Sequence, residues 1–444
     1  ALNDKLQAIE SEADRLILEM YRDTYTNETD PMRYLILKDL YEILEKAIDR
    51  CRDAGNVIYG VVLKNACAMT TALILVLAVI LTALVFEYIN GFHDTANSIA
   101  TVVATKVLNP TQAVVLAAFM NLIGALAGTA VAKTISSGLI DAEVVDVTSQ
   151  LIICALSGGI VWNLITWWFG LPSSSSHALI GGLIGAALAA AGNNLDVLIW
   201  SRVAEDWTKS QGIFWKVIVP MISSPVAGFF LGLVMMGTLM AVISAMNGAG
   251  GWIARISRPR WVNALFGKAQ IFSAGYMGFA HGTNDAQKTM GIIALTLFGA
   301  EASGALDDLP GWLAFLHPGA AGEQDIAMWI VITCAIVMAL GTAMGGWKII
   351  KTLGHKMVKL HPINGFAAET SSATILTVAA HFGMPVSTTH SISTAIMGVG
   401  VAKNPRALQW TVIQKIVWAW ILTIPASGGL AWLLLKGVTA MGWG

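Results

Sequence analysis

Charge is what this 444-residue chain has least of: 12% of its residues are charged and 55% are hydrophobic. A soluble globular chain carries roughly 25% charged residues. So thin a polar surface excludes a disordered chain, an ordinary soluble enzyme and a nucleic-acid binder with a basic face. The 27 basic and 28 acidic side chains leave no excess to attract a polyanion. Cysteine is scarce as well. Cys51, Cys67, Cys154 and Cys334 stand far apart with no CxxC pair, which excludes a disulfide framework and a thiolate metal site. The acidic, polar start lacks the pattern of a cleavable signal peptide.

What charge there is sits at one end. Residues 1–64 hold 22 of the 55 charged side chains. This head reads as two amphipathic helices. The break between them lies at Asn27-Glu-Thr-Asp30-Pro31, with Asp30 as N-cap and Pro31 at the first helical position. The second helix runs from about residue 32 to 64, and Leu35, Leu40, Ile43, Leu44, Ala47, Ile48, Val57 and Val61 form one apolar stripe. Two such helices cannot bury both apolar faces by themselves, so a further partner is expected, a second copy of the chain being one candidate.

From about residue 70 the chain becomes a series of apolar runs. About 20 residues span a bilayer as a helix, and 71–88, 111–132, 151–170, 218–245, 326–343 and 413–435 are of that kind. The shorter stretches 176–191, 289–299 and 366–380 read as half-helices or re-entrant pieces. Irregular backbone at membrane depth survives only where protein or a wet cavity covers it. Loops sort by charge. Segment 252–268 carries Arg255, Arg258, Arg260 and Lys268, segment 348–359 carries four lysines, and 301–325 carries five acids and no Lys or Arg. The positive-inside rule places the first two in the cytoplasm and the acidic loop outside.

Two passages recur in the same order. Gly91-Phe-His93-Asp94-Thr-Ala-Asn97-Ser98 matches Gly282-Thr-Asn284-Asp285-Ala-Gln287-Lys288-Thr289. Pro172-Ser-Ser174-Ser175-Ser176-His177 matches Pro385-Val-Ser387-Thr388-Thr389-His390. The offsets are 191 and 213, and a loop insertion such as 301–325 accounts for the difference. A duplicated hydrophobic unit with interrupted segments at matching places points to a secondary transporter whose site lies at the repeat interface.

Each pair has its own chemistry. Pro172 and Pro385 precede hydroxyl clusters that open apolar helices, and a helix N-terminus with several hydroxyls is an anion cradle. Ser174, Ser175, Ser176, Ser387, Thr388 and Thr389 are therefore the candidate ligands of a tetrahedral oxyanion. The bland alternative is that they bond only to helix carbonyls or across helices. Asp94 and Asp285 are ionisable groups inside apolar runs, which mark an ion or proton path. With Asn97 on one side and Asn284 and Gln287 on the other they offer hard oxygen to a small cation; capping a broken helix is the alternative. Lys288 stands where the first repeat has Asn97, and would neutralise Asp285 in place of a cation. The expectation is one full cation site, or a titrating proton site at Asp94 with His93. Glu87 and Glu369 are candidates for the ion path, Asn121 and Asn163 for interhelical glue, and the many Trp for interface belts. His177 and His390 either relay protons or hydrogen-bond a carbonyl. A serine hydrolase built from Ser175, His177 and Asp94 lacks a nucleophile elbow and would need duplicate triads.

The body resembles the Pit-type inorganic phosphate transporters. The residues that carry the resemblance are Tyr88-Ile-Asn-Gly-Phe-His-Asp-Thr-Ala-Asn97, Trp162-Asn-Leu…Trp167, Phe169-Gly-Leu-Pro-Ser-Ser-Ser-Ser-His177, His281-Gly-Thr-Asn-Asp-Ala-Gln-Lys288 and Gly383-Met-Pro-Val-Ser-Thr-Thr-His390. The resemblance implies an inverted-repeat helical fold, a homodimer, and phosphate moved on a cation gradient. The first motif is similar to the bacterial low-affinity branch, which is proton-coupled and carries phosphate as a neutral metal complex. Glu369 is similar to a residue of the sodium-coupled branch, and implies a sodium site at Asp94, Asn97 and Glu369. The head resembles the C-terminal hairpin of PhoU-like accessory proteins, on Glu12-Ala-Asp14-Arg15 and Asp39-Leu-Tyr-Glu-Ile-Leu-Glu…Asp49-Arg-Cys…Asn56-Val…Val62-Leu-Lys-Asn-Ala66.

The expected protein is thus all-α: a polytopic membrane protein with two inverted repeats containing broken or re-entrant helices, preceded by a short soluble hairpin. The hairpin covers 1–66 and the transporter domain 67–444, with repeat one at about 70–192, connecting helices at 213–246, repeat two at 268–402 and a final helix at 411–436. The expected function is proton-coupled symport of inorganic phosphate, with Mg2+ or Ca2+ travelling alongside and no resident cofactor. Sodium-coupled phosphate symport, sulfate symport and a non-transporting phosphate sensor are the alternatives. The location is the cell membrane (the inner membrane in a Gram-negative source). Inverted repeats and a cytoplasmic 252–268 segment would start repeat one outside, whereas Arg50, Arg52 and Lys64 argue for a cytoplasmic head, and the head is assigned to the cytoplasm.

Overall fold

The computed structural model describes residues 2–65, 71–137, 147–204, 212–307, 309–318 and 326–442. Cys67, part of the acidic loop and the last residue of the expected hairpin domain lie outside them. The described residues form helices and turns with no extended strand. The chain divides into two compact units, residues 1–71 with 308–314, and residues 72–307 with 315–444.

The first unit is the hairpin, α1 (Leu2–Asn27) and α2 (Pro31–Asn65). Asp30 caps α2 by accepting from the Met32 N–H at 2.9 Å, and Pro31 takes the first helical position, where its missing donor is no loss. Tyr21 and Tyr41 pack edge to face at 5.4 Å, Thr24 hydrogen-bonds Tyr41 at 3.2 Å, and Arg52 reaches Glu10 at 2.5 Å. Ile17 and Tyr41 are buried, whereas Leu35, Ile43, Leu44 and Val57 are exposed, so much of the apolar stripe is uncovered within the hairpin.

The second unit is a helical bundle. The first repeat holds α3 (Thr71–Ala104), α4 (Pro110–Ala125), α5 (Ala130–Ser137), α6 (Ser149–Phe169) and α7 (Ser175–Ala190). α8 (Val219–Gly248) and the short α9 (Gly251–Ile256) connect it to the second. There α10 (Pro259–Ala302), α11 (Met328–Met344), α12 (Trp347–Lys351), α13 (Pro362–His381) and α14 (Thr388–Lys403) precede the final α15 (Trp410–Ala440). Among the described residues four helices are long and apolar enough to cross a bilayer, and α11 with α12, bent by 58°, is either a broken span, which would be a fifth, or a re-entrant loop.

Three expectations about interruptions need correction. The motif around Asp94 is not a helix break, because α3 runs unbroken for 34 residues through Gly91. A Cβ at Gly91 would lie 2.4 Å from the Met338 carbonyl oxygen, so this glycine serves the close crossing of α3 with α11. Likewise 289–299 is the end of the 44-residue α10 and not a half-helix. Neither Asp94 nor Asp285 therefore caps a helix. The run 111–132 is instead divided after α4, with α5 restarting at Ala130. The breaks at the Pro-hydroxyl motifs stand, with α7 as a short half-helix. Gly170 (φ 64°) ends α6 and Gly383 (φ 61°) follows α13, each in the left-handed region that glycine tolerates. Each is followed by a Pro two residues on and a Ser N-cap.

The equivalent helices α3 and α10 run antiparallel, as inversion of the repeats requires. Glu87 meets Thr289 near one end of the contact, while Thr105 donates to Gln270 at 2.9 Å near the other. Partners rise in number along α3 as they fall along α10. Outside this pair many large apolar side chains remain exposed, among them Ile222, Val226, Phe230 and Val234 on α8 and Trp418, Ile421 and Leu433 on α15. This is the outward face a bilayer would cover.

Candidate functional site

The two hydroxyl clusters open α7 and α14 in the same way. Ser174 accepts from the His177 N–H at 3.2 Å, and Ser387 accepts from the His390 N–H at 3.2 Å. Both serines are N-caps, so their oxygens are committed to their own helices. The next residues point out of the helix mouths. Ser175 Oγ donates to Asp94 Oδ2 at 2.7 Å, and Thr388 Oγ1 donates to Asp285 Oδ2 at 2.9 Å. These are equivalent positions in the two repeats, bonded to equivalent carboxylates.

The residue three further along each long helix crosses to the opposite mouth. Asn97 Nδ2 donates to Thr389 Oγ1 at 2.9 Å and to Thr388 Oγ1 at 3.2 Å. Lys288 Nζ donates to Ser176 Oγ and to the Val386 carbonyl (3.0 Å), while pairing with Asp285 Oδ1. Each motif helix thus ties both mouths together. Side chains three apart share a helix face, which is why the Asp-x-x-Asn and Asp-x-x-Lys spacings can do this. The hydroxyl-bearing residues 175, 176, 388 and 389 are no more than 4% exposed, so the cluster is closed on every side.

Further groups complete it. One ligand atom each of Asp94, His281 and Asp285 lies within 4.8 Å of the others, a grouping that could hold a cation. His281 Nε2 is 3.1 Å from Asp285 Oδ2, and its other nitrogen bonds Asn121, which in turn donates to Thr342. His93 Nδ1 is 2.6 Å from Asp94 Oδ1, and its far nitrogen reaches Thr166 at 3.2 Å and Ser173 at 3.4 Å. The His177 and His390 rings meet edge to face at 4.7 Å. Neither nitrogen of His390 has a hydrogen-bond partner.

Not every candidate gathers here. Glu369 does not join Asp94 and Asn97; it accepts from Thr101, Ser273 and Gln270, one helical turn further along α3. Gln287 turns away as well. Its oxygen accepts from the Val131 N–H at 2.7 Å and so completes the start of α5. Asn284 makes one long contact, 3.5 Å to the Met384 carbonyl, and its oxygen has no partner. Asn121 is interhelical glue by its bonds, whereas Asn163 is buried with neither amide atom paired. His281, Thr166 and Ser173 were missed as site residues. The signal for His281 was its place four residues before Asp285, one turn along the same face.

Comparison with known proteins gives this geometry its relatives. Residues 90–431 match the model of the phosphate transporter family. The chain is 40% identical over 371 residues to a protein of Bacillus subtilis named a probable low-affinity inorganic phosphate transporter, covering 83% of this chain and 99% of that one. A relative of the same description from Rhizobium meliloti is 43% identical over 359 residues, covering 81% and 95%. A solved structure titled the sodium-dependent phosphate transporter shares the fold at a TM-score of 0.65 and 22% identity, covering 83% of this chain and 99% of that one. With the family match spanning most of its length, and with four helices long and apolar enough to cross a bilayer, this chain is a multi-pass membrane protein and belongs to the phosphate transporter family.

Proposed function

We propose that the protein is a secondary active symporter that moves inorganic phosphate with protons, through a site formed where the mouths of α7 and α14 face each other. The observation that carries this reading is the crosswise bonding of both mouths by Asp94 and Asn97 and by Asp285 and Lys288. Hydroxyls and first-turn N–H groups are neutral donors, strong enough to hold an oxyanion and weak enough to let it go. In the closed arrangement the two carboxylates take the hydroxyl bonds that phosphate oxygens would take.

Charge explains the coupling. Two aspartates and one lysine leave the cluster one negative charge in excess when its histidines are neutral. An incoming phosphate anion meets that excess in a water-poor site, where like charges repel strongly. Added positive charge must arrive with it, as protons, as a metal ion, or as a divalent metal that makes phosphate a neutral complex. The contact of Asp94 with His93, and of His93 with Thr166 and Ser173, favours protons, since it links a carboxylate to exchangeable groups away from the mouths. His177 and His390 sit behind the mouths as a second pair of exchangeable groups. A homodimer is proposed on the family resemblance alone, and the PhoU-like reading of the hairpin on its motifs.

The Ser175→Ala/Thr388→Ala double variant, reconstituted in proteoliposomes under an inward proton gradient without sodium, is expected to lose at least tenfold in labelled phosphate uptake. Wild-type uptake by this variant would refute the cradle. A wild-type protein idle under the proton gradient but active under a sodium gradient would refute proton drive alone.

Orientation follows from charge and inversion together. The basic segments before α10 and around α12 belong in the cytoplasm. With antiparallel packing this supports a start of α3 at the outer face, and we propose an outside hairpin on that ground, whereas Arg50, Arg52 and Lys64 support the cytoplasmic one. Cys51 is exposed and Cys154 and Cys334 are buried. In a Cys67→Ser background a membrane-impermeant maleimide should label Cys51 in right-side-out vesicles. Labelling only after permeabilisation would return the hairpin to the cytoplasm.

A further inference from the structure

Four carboxylates lie along the seam between α3 and α10, and they are not equally provided for. Asp94 and Asp285 share the central cluster. Glu369 has both oxygens paired, with Thr101 and Gln270 on one and Ser273 on the other. Glu87 differs. It is fully buried, the Thr289 hydroxyl donates to its Oε2, the Asn90 side chain on its own helix adds a weaker contact, and its Oε1 has no hydrogen-bond partner. Among the described residues Oε1 is the one buried carboxylate oxygen without a partner, and no basic side chain forms an ion pair with Glu87. A carboxylate left charged in such surroundings costs several kcal/mol, so a group retained there points to an exchangeable proton or ion.

Its position is equally specific. A cavity of about 690 Å³ opens at the end of the seam where α3 begins, lined by Val76 of α3, by Thr148 and Ser149 ahead of and at the start of α6, and by Thr296 and Ser303 at the end of α10. Thr289 precedes Thr296 by two helical turns, and Asp94 follows Glu87 by two turns, each step about 10 Å along the axis. Residues seven apart lie on nearly the same helix face. Cavity, Glu87 and the central cluster therefore follow one another along one line. The titratable or charged groups that face Glu87 are Asp285 and Lys288 from α10 and Cys334 from α11, while α6 offers none.

We infer that Glu87 is a proton station between this outer cavity and the phosphate site. It takes one proton from water in the cavity onto its carboxylate and yields one proton towards the central carboxylates in each cycle, with no other bond changed. The role rests on the proton-coupled reading above and adds to it the residue where the proton first leaves water.

The test is Glu87→Gln in the full-length protein in proteoliposomes, read in two modes. Accumulation of labelled phosphate driven by a pH gradient requires proton binding and release. Phosphate–phosphate exchange at equal pH does not require net proton movement. The variant is expected to lose at least tenfold in driven accumulation while keeping exchange within about twofold of wild type. Unchanged accumulation overturns the inference, and so does a parallel loss of both modes, which would make Glu87 structural. Should E87Q fail to insert, Glu87→Asp keeps an ionisable carboxyl but shortens its reach to Thr289. Slower accumulation with intact exchange then supports the station, and wild-type accumulation rejects it. Wild-type protein that accumulates phosphate on sodium but not on a pH gradient overturns the proton-coupled reading itself, which the wild-type arm reports separately.

Discussion

Lys288→Met should reduce phosphate uptake by two to three orders of magnitude. The ammonium is 3% exposed, pairs with Asp285 and also holds Ser176 and the Val386 carbonyl. Removing one partner of a buried ion pair costs about 3–5 kcal/mol, because the other charge is left uncompensated. Here it would also release the second mouth, since Lys288 is the bond that carries α10 across to α7. Lys288→Asn makes a sharper comparison. It puts at this position the residue that the first repeat already has, Asn97, beside a carboxylate equivalent to Asp94. If the lysine substitutes for a bound cation, the asparagine variant should recover part of the uptake only when sodium is supplied. Initial rates with and without a sodium gradient measure this. Uptake by K288M within threefold of wild type would show that the charge is not needed. Recovery by K288N that is indifferent to sodium would reject the substitution of lysine for a cation.

The second large effect is on packing. Gly185→Ala should lower the thermal stability of the purified protein and its uptake together. A Cβ at Gly185 would stand 2.0 Å from the Gly428 carbonyl oxygen, so α7 can rest on α15 only with no side chain there. The second repeat repeats the arrangement: a Cβ at Gly398 of α14 would meet the Phe229 carbonyl of α8 at 2.0 Å. Overpacking typically costs about 1–3 kcal/mol, and here the obstacle is backbone, which cannot rotate away. Since α7 and α14 carry the two mouths, displacement by even part of an ångström moves Ser175 or Thr388 off its carboxylate. Gly237 of α8 is the control, because a Cβ there would touch nothing within 4 Å. Gly237→Ala should be neutral or mildly stabilising, as replacing glycine in a helix interior usually is. Fluorescence-detected melting in detergent separates the two variants. Equal melting of Gly185→Ala and Gly237→Ala would sink the packing argument.

Much of the architecture was legible because membrane helices leave a coarse trace. Runs of apolar residues located α6, α8, α11 and α15 to within a few residues, and the Pro-hydroxyl pairs located the mouths of α7 and α14. The trace misled where length was judged by composition. The apolar run by itself ends at residue 88, because Asn, His and Asp beyond it lower the local apolarity as a loop would. In the fold His93 pairs with Asp94 and Asn97 bonds Thr388 and Thr389 inside the bundle, so α3 has no reason to stop.

At the site, duplication identified the residues and the fold assigned their tasks. Asp94, Asn97, Asp285 and Lys288 were readable as two copies of one pattern. That Asn97 and Lys288 reach across to the other repeat was not, because contacts between residues 112 to 292 positions apart leave no periodicity in either segment. Gln287 shows the same limit. Its amide suited a cation by chemistry, but the free N–H groups at the start of α5 were closer and claimed it.

Composition and repetition by themselves determined that this is a helical membrane protein built on an internal duplication, because hydrophobicity and motif identity are properties of local segments. Which hydroxyl meets which carboxylate and which glutamate is left short of partners were decided only by antiparallel packing of distant helices. Those outcomes depend on how burial and hydrogen bonding are satisfied for the whole bundle at once, which no single stretch of chain encodes.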